Sequence, residues 1–79
     1  MILGIIGGGM MGEAILAGII EGNVLKKDEI IVSEKIEKRK DYLREKYNIE
    51  VITDNKSLAQ RATYILIAVK PQNIKEVLK

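Results

Sequence analysis

Ile2-Leu3-Gly4-Ile5-Ile6-Gly7-Gly8-Gly9-Met10-Met11-Gly12-Glu13-Ala14-Ile15-Leu16 decides how the rest of the chain reads. Its first five residues form an almost continuous apolar run that stops at a glycine cluster, the pattern of a short parallel strand covered on both faces. From Met10 to Ile20 the residues favour a helix, Glu13, Ala14, Leu16 and Ala17 among them, and Gly22-Asn23 supplies the stop. This helix is apolar nearly all round and calls for cover on more than one side. Strand, glycine turn and helix in direct succession are the opening of a βαβ unit.

Downstream the same alternation repeats. Ile30-Ile31-Val32 reads as a second strand, brief and β-branched. Ile36 to Tyr47 is dense in Lys, Arg and Glu, with Ile36, Leu43 and Tyr47 on one helical face and Tyr42 beside them, which predicts a surface helix with one buried stripe. Val51-Ile52-Thr53 is a weaker third strand, and Asp54-Asn55 offers a turn or cap into a short helix over 56–62. Tyr64 to Val69 is the clearest strand, stopped by Lys70-Pro71, and a further helix is predicted over 72–79. The expected fold is α/β: an incomplete, Rossmann-like, doubly wound parallel sheet of four strands in the order 3-2-1-4, with helices on both faces. The crevice for a ligand would lie at the carboxyl ends of strands one and four, between the loop Gly7 to Gly12 and the segment Val69-Lys70-Pro71.

Composition narrows the chemistry. The 79 residues suffice for one small domain or part of a larger one. With 47% hydrophobic and 30% charged residues, the chain is too apolar for a disordered tail and too charged for a membrane protein. Its formal charge of +2 comes from mixed signs without a basic block, so neither nucleic acid nor membrane is expected as a partner. Cys and His are both absent, which removes disulfides, thiolate nucleophiles, the commonest metal ligands and every Ser-His-Asp arrangement. We therefore assign no catalytic and no metal-binding residue, and expect a cofactor to carry the chemistry. No basic leader precedes the first apolar run, so a cytoplasmic location is expected.

Gly7-Gly8-Gly9-Met10-Met11-Gly12 satisfies G-x-G-x-x-G at a strand-to-helix junction. One glycine makes the tight turn, the next lets backbone approach a pyrophosphate, and the third lets helix pack on strand, while the helix N-terminus offers free N–H groups to the phosphates. No Lys-Ser or Lys-Thr follows the last glycine, which excludes a Walker-type loop. The motif points to NAD or NADP. The choice between them falls on the end of strand two, where Glu34 suits the ribose hydroxyls of NAD, while Ser33 and Lys35 beside it suit a 2′-phosphate. Lys38 and Arg39 are read as the solvated start of the next helix. Lys70 is either a surface cap or a ligand at the crevice, and Asn55 either a helix cap or a contact at the adenosine end. The side chains of Met10 and Met11 are expected to pack, and Tyr42, Tyr47 and Tyr64 to border the core.

With these segments in place the chain resembles the N-terminal part of the pyrroline-5-carboxylate reductases. The resemblance is carried by residues 5–15, by Ile30-Ile31-Val32-Ser33-Glu34, by Thr53-Asp54-Asn55 and by Ala68-Val69-Lys70-Pro71-Gln72. It implies reduction of 1-pyrroline-5-carboxylate to L-proline by NADPH or NADH. It also implies that the loop from Ile6 to Met11 holds the pyrophosphate, Ser33 the adenosine ribose or its phosphate, and Asn55 the adenosine side. Ala68, Val69, Lys70 and Pro71 would line the crevice toward the nicotinamide. Met10 stands where the family often has Asn or Gln. The resemblance further implies that residues 1–79 are the first part of a cofactor domain, with a helical dimerisation and substrate domain absent, and that the parent protein is a homo-oligomer. Other readings remain open on the sequence: a different NADP- or F420-linked oxidoreductase, or a non-catalytic nucleotide-binding module. Helix one and strand four, short of a neighbour, predict exposed apolar surface and self-association of this chain.

Overall fold

The computed structural model describes residues 1–69. Within them the chain runs β1 (Leu3–Ile6), α1 (Met10–Glu21), a 3-10 turn over Lys27–Glu29, β2 (Ile30–Ser33), α2 (Glu37–Tyr47), β3 (Glu50–Ile52), α3 (Asn55–Arg61) and β4 (Tyr64–Ile67). All pairings are parallel and the strand order is β3-β2-β1-β4, as the alternation of elements predicted. Leu3 to Ile6 pair in register with Ile30 to Ser33 on one side and with Tyr64 to Ile67 on the other. The strand order reverses at β1, so the glycine loop lies at the switch point of the sheet. Lys70, Pro71 and the helix expected over 72–79 lie outside the described residues.

Alternation along the strands sorts the core into two layers. Leu3, Ile5, Ile30 and Val32 meet Leu16 of α1 and Leu43 of α2, with Ile49, Val51 and Ala68 completing that cluster. Ile6 and Ile31 belong to a second cluster around Leu58 of α3, bordered by Ile2, Ile52, Ala62 and Val69. Helices therefore cover both faces. Gly4 belongs to the second layer, where a Cβ would run into the Leu58 side chain; the glycine lets α3 sit close on β1.

Local signals explain the element ends. α1 finishes in a Schellman arrangement: Val24 N–H donates to Ile19 O, Asn23 N–H to Ile20 O, and Asn23 takes the left-handed conformation at φ 53°. The stop is thus made by Asn23, with Gly22 still in the right-handed region. α2 also ends on a left-handed asparagine, Asn48 (φ 54°), whose N–H donates to Arg44 O (2.9 Å). Asp54 caps α3 by accepting from Lys56 N–H, so Asn55 is the first helical residue and its side chain is not the cap.

Two expectations about packing are corrected. Ile36 precedes α2 and is 61% exposed, so the buried stripe is instead Lys40, Leu43 and Tyr47. Lys40 is tolerated there because its ammonium donates to Thr53 Oγ1 (2.6 Å) and pairs with Glu37 (2.6 Å). Met10 and Met11 do not join the core: both are exposed, at the start of α1 beside the glycine loop.

Candidate functional site

The carboxyl ends of the strands are drawn together by backbone bonds that continue past the strands themselves. Gly7 N–H donates to Ser33 O (3.0 Å), Glu34 N–H to Ile52 O (2.8 Å) and Ala68 N–H to Ile6 O (2.8 Å). The glycine loop, the Ser33-Glu34 corner and the Ala68-Val69 segment therefore form one rim, with the N-terminus of α1 opening onto it.

Each glycine of the motif has a physical reason, and the reasons differ. Gly7 turns at φ 106°, a conformation a side chain resists, and a Cβ there would also crowd Ala68 O at 2.7 Å. Gly12 is buried where a Cβ would collide with the Gly7 carbonyl, which is the close helix-on-strand packing the motif calls for. Gly8 is wedged against Leu43 and Glu34. Gly9 is different: a Cβ there would meet nothing within 4 Å. The fold alone does not require a glycine at Gly9, whereas a ligand lying against the loop backbone does. No side chain caps α1, so the N–H groups of its first turn await an outside acceptor. A cradle of unshielded backbone donors beside a bare glycine fits a pyrophosphate.

Behind the loop stands a set of paired side chains. Glu34 accepts from Gly8 N–H through Oε1 (2.8 Å) and from Ile36 N–H through Oε2 (2.9 Å), so its carboxylate is held against the glycine turn. Arg39 donates to the Gly8 carbonyl from both Nε (3.0 Å) and Nη2 (2.6 Å), and also to Glu13 (3.0 Å). Gly8 is consequently fixed at its N–H and at its C=O by residues flanking the β2–α2 junction. This corrects the reading of Arg39 as a solvated residue; Lys38 is exposed as expected.

Glu13, in the first turn of α1, is the hub of the cluster. It accepts from the hydroxyls of Tyr42 and Tyr47 (2.7 Å each), from Arg39 and from Lys46 (3.3 Å). The two tyrosine hydroxyls, then Arg39 and Lys46, hold its carboxyl down to about 2 against the opposing effect of partial burial. Tyr47 is raised, chiefly by burial and then by the Glu13 carboxylate. Lys46 is raised by Tyr42 and Glu13. Sequence reading missed this network. Its traces were an isolated acid on an apolar helix and the spacing of Arg39, Tyr42 and Lys46 along one face of α2.

The remaining expected residues divide. Ser33 is 2% exposed and its hydroxyl donates to Asn55 Oδ1 at 2.5 Å, which brings those two together on the floor of the rim beside β3. Lys35 is exposed beyond Glu34. Ile6 and Ala68 are buried beneath the loop and Val69 is half-buried at the β4 end. Lys70 and Pro71 lie outside the described residues. Among the described residues no group of acids, His or Cys is arranged to hold a metal ion, and no helix is long and apolar enough to cross a membrane.

Comparison with known proteins agrees with this geometry. The chain is 47% identical over 76 residues to a pyrroline-5-carboxylate reductase of Synechocystis, covering 96% of this chain and 28% of that protein. It is 40% identical to one from Corynebacterium melassecola over the same share of each. The structure of a pyrroline-5-carboxylate reductase from Coxiella burnetii superposes with a TM-score of 0.86 at 33% identity, over 95% of this chain and 27% of that one. The chain thus spans little more than a quarter of the length of the relatives it matches, and that quarter is their N-terminal part. Residues 2–79 match the family described as NADP oxidoreductase, coenzyme F420-dependent, and the chain belongs to that family.

Proposed function

We propose that this chain is the first part of the cofactor domain of a pyrroline-5-carboxylate reductase. Bound there, a reduced nicotinamide dinucleotide would supply the hydride for the C=N carbon of 1-pyrroline-5-carboxylate, the nitrogen gaining a proton to give L-proline. The chain's own work is to bind and orient. Gly9, Met10, Met11 and Gly12 would offer backbone donors and the positive end of α1 to the pyrophosphate, on the turn made by Gly7 and Gly8 with Ile6 beneath it. Ser33, Glu34, Lys35 and Asn55 would border the adenosine ribose, and Ala68 and Val69 would line the side of the nicotinamide. Substrate binding and dimerisation belong to chain beyond residue 79.

The observation that carries this reading is Gly9, bare of neighbours in a loop whose other glycines the fold itself demands. The test is turnover by the full-length gene product with 1-pyrroline-5-carboxylate and NADH or NADPH. Oxidation of the cofactor matched by proline formation is expected. The family's description favours one rival, a deazaflavin-linked oxidoreductase. Hydride exchange between reduced F420 and NADP, with no proline formed, would replace our reading by that one.

A further inference from the structure

The end of β2 carries both an acid and cations, and the sequence alone leaves NAD and NADP equally open. The arrangement of these groups does not. Glu34 is not a solvated acid: its two carboxylate oxygens accept from two backbone N–H groups, Gly8 at 2.8 Å and Ile36 at 2.9 Å, and so stand at a fixed place beside the phosphate loop. The groups that would welcome a 2′-phosphate are engaged elsewhere. Ser33 is buried and donates to Asn55. Arg39 is taken by the Gly8 carbonyl and Glu13, and Lys40 by Thr53 and Glu37. Lys35 and Lys38 remain, both exposed and without an ion-pair partner among the described residues. Ordering a solvated lysine around a phosphate costs side-chain entropy, whereas the carboxylate is already in place.

We propose that Glu34 makes this site select NADH over NADPH, and that the same carboxylate holds the phosphate loop in shape, so that cofactor choice and pyrophosphate binding are coupled through one side chain. This rests on the functional reading only as far as dinucleotide binding. A fixed carboxylate accepts hydrogen bonds from a ribose diol and repels a phosphate dianion in the same position. Through Oε1 it also holds the N–H of Gly8, whose C=O Arg39 holds, so removing the carboxylate frees one of the two peptide groups that flank the Gly8 Cα. Charge and hydrogen-bond acceptor are therefore separable by substitution. Glu34→Gln keeps an oxygen for Gly8 N–H and discards the charge; Glu34→Ala discards both.

The experiment is direct binding of NADH and NADPH to the full-length gene product, followed by nicotinamide fluorescence without substrate, with KM for each cofactor measured alongside. The unsubstituted protein is expected to bind NADH about tenfold more tightly than NADPH, on the scale of one part-solvated like-charge contact. Glu34→Gln should bring the ratio toward one, mainly by tightening NADPH. Glu34→Ala should weaken NADH about tenfold or more and gain little for NADPH, because the loop loses its tie. Equal or tighter binding of NADPH by the unsubstituted protein overturns the inference, as does an unchanged ratio in Glu34→Gln. If Glu34→Ala binds both cofactors as well as Glu34→Gln does, the coupling is overturned. Binding of neither cofactor removes the functional reading and the inference together. NADH preference without turnover of 1-pyrroline-5-carboxylate removes the functional reading and leaves the inference standing.

Discussion

The sheet has two edge strands, and they are finished to different degrees. At β3 the exposed backbone is managed: Arg44 donates to Val51 O (2.6 Å), Arg61 grips Glu50 through two bonds (2.5 and 2.7 Å), and Val51 is buried under α2. At β4 nothing comparable occurs among the described residues. Tyr64, Ile65, Leu66 and Ile67 are 61%, 41%, 41% and 41% exposed, although their register with β1 is as complete as that of β2. Hydrogen-bond pairing is thus equal on the two sides of β1 and burial is not. Charges that blunt an edge go with a strand meant to be last; a bare apolar edge goes with a strand meant to have a neighbour. The rim proposed to take the nucleotide spans both sides: the Ser33-Glu34 corner stands on the finished side of the glycine loop and the Ala68-Val69 segment on the open one.

The sharpest way to break this comparison is to make one deletion on each side. Leu43 is fully buried in the layer that roofs β1, β2 and β3, and its δ-carbon also abuts Gly8. Leu43→Ala should cost about 2–5 kcal/mol in urea unfolding, the lost transfer energy plus a cavity under the glycine loop. Leu66→Ala, at 41% exposure, should cost less than about 1.5 kcal/mol, because part of the side chain is in water already. Equal losses would mean that β4 is as well covered as β2.

Next in size is the clamp that ties α1 to α2 over the finished side. The carboxyl of Glu13 lies at about 2 in the folded protein against an ordinary 4.5. A lowered folded pKa means that the clamp contributes fully above pH 4.5, and its contribution is lost as pH falls from there toward 2. Glu13→Gln should cost about 1–3 kcal/mol at neutral pH, since four donors lose a charged acceptor. The difference in unfolding free energy between the two proteins should then shrink across that acid window. A difference independent of pH between 5 and 2 would show that the carboxylate's charge is not what the donors hold.

Much of this was legible in the sequence, for identifiable reasons. Strand order followed from the alternation of apolar runs with helical segments, because crossover handedness leaves few topologies. The turn at Gly7 and the close packing at Gly12 followed from steric need within the loop, whereas the fold itself leaves Gly9 unconstrained. Arg39 was misread because its partners, Gly8 O and Glu13, are 31 and 26 positions away, and a basic residue at a helix start is usually solvated. Ile36 was misread because helical periodicity does not fix where a helix begins, and the cap falls on Ile36 itself. Lys40 took the place in the stripe that a hydrophobicity pattern gave to Ile36; only Thr53 and Glu37 in space reveal that its ammonium is satisfied. Local constraints could be read from the sequence, whereas long-range polar partners could not.

The open edge yields a prediction that changes association more than stability. Exposed Ile65, Leu66 and Ile67, beside backbone groups that find no partner strand on their outer side among the described residues, form a template for another strand. The 79-residue chain alone should therefore scatter light as dimers or larger species at high concentration. Leu66→Lys should lower that mass with little change in the unfolding midpoint, because a charge on an edge strand opposes pairing between copies. A monodisperse monomer before substitution would show that β4 is covered in solution.

The smallest expected effect tests the sealed edge itself. Arg61 and Glu50 form a bidentate pair, yet both side chains are nearly half exposed, 45% and 48%. Geometry this good still competes with solvent, since each ion is well hydrated when the pair is open and salt screens what remains. Arg61→Ala should lower stability only slightly at low ionic strength and less still at 1 M salt. Its more telling consequence is at the edge, where Glu50 would lose the cation that pins it across β3. If Arg61→Ala, with or without Arg44→Ala, raised self-association of a Leu66→Lys background, the two arginines would be what keeps β3 from pairing. If association stayed unchanged, burial of Val51 under α2 would suffice to close that edge, and the difference between β3 and β4 would reduce to the apolar cover each receives.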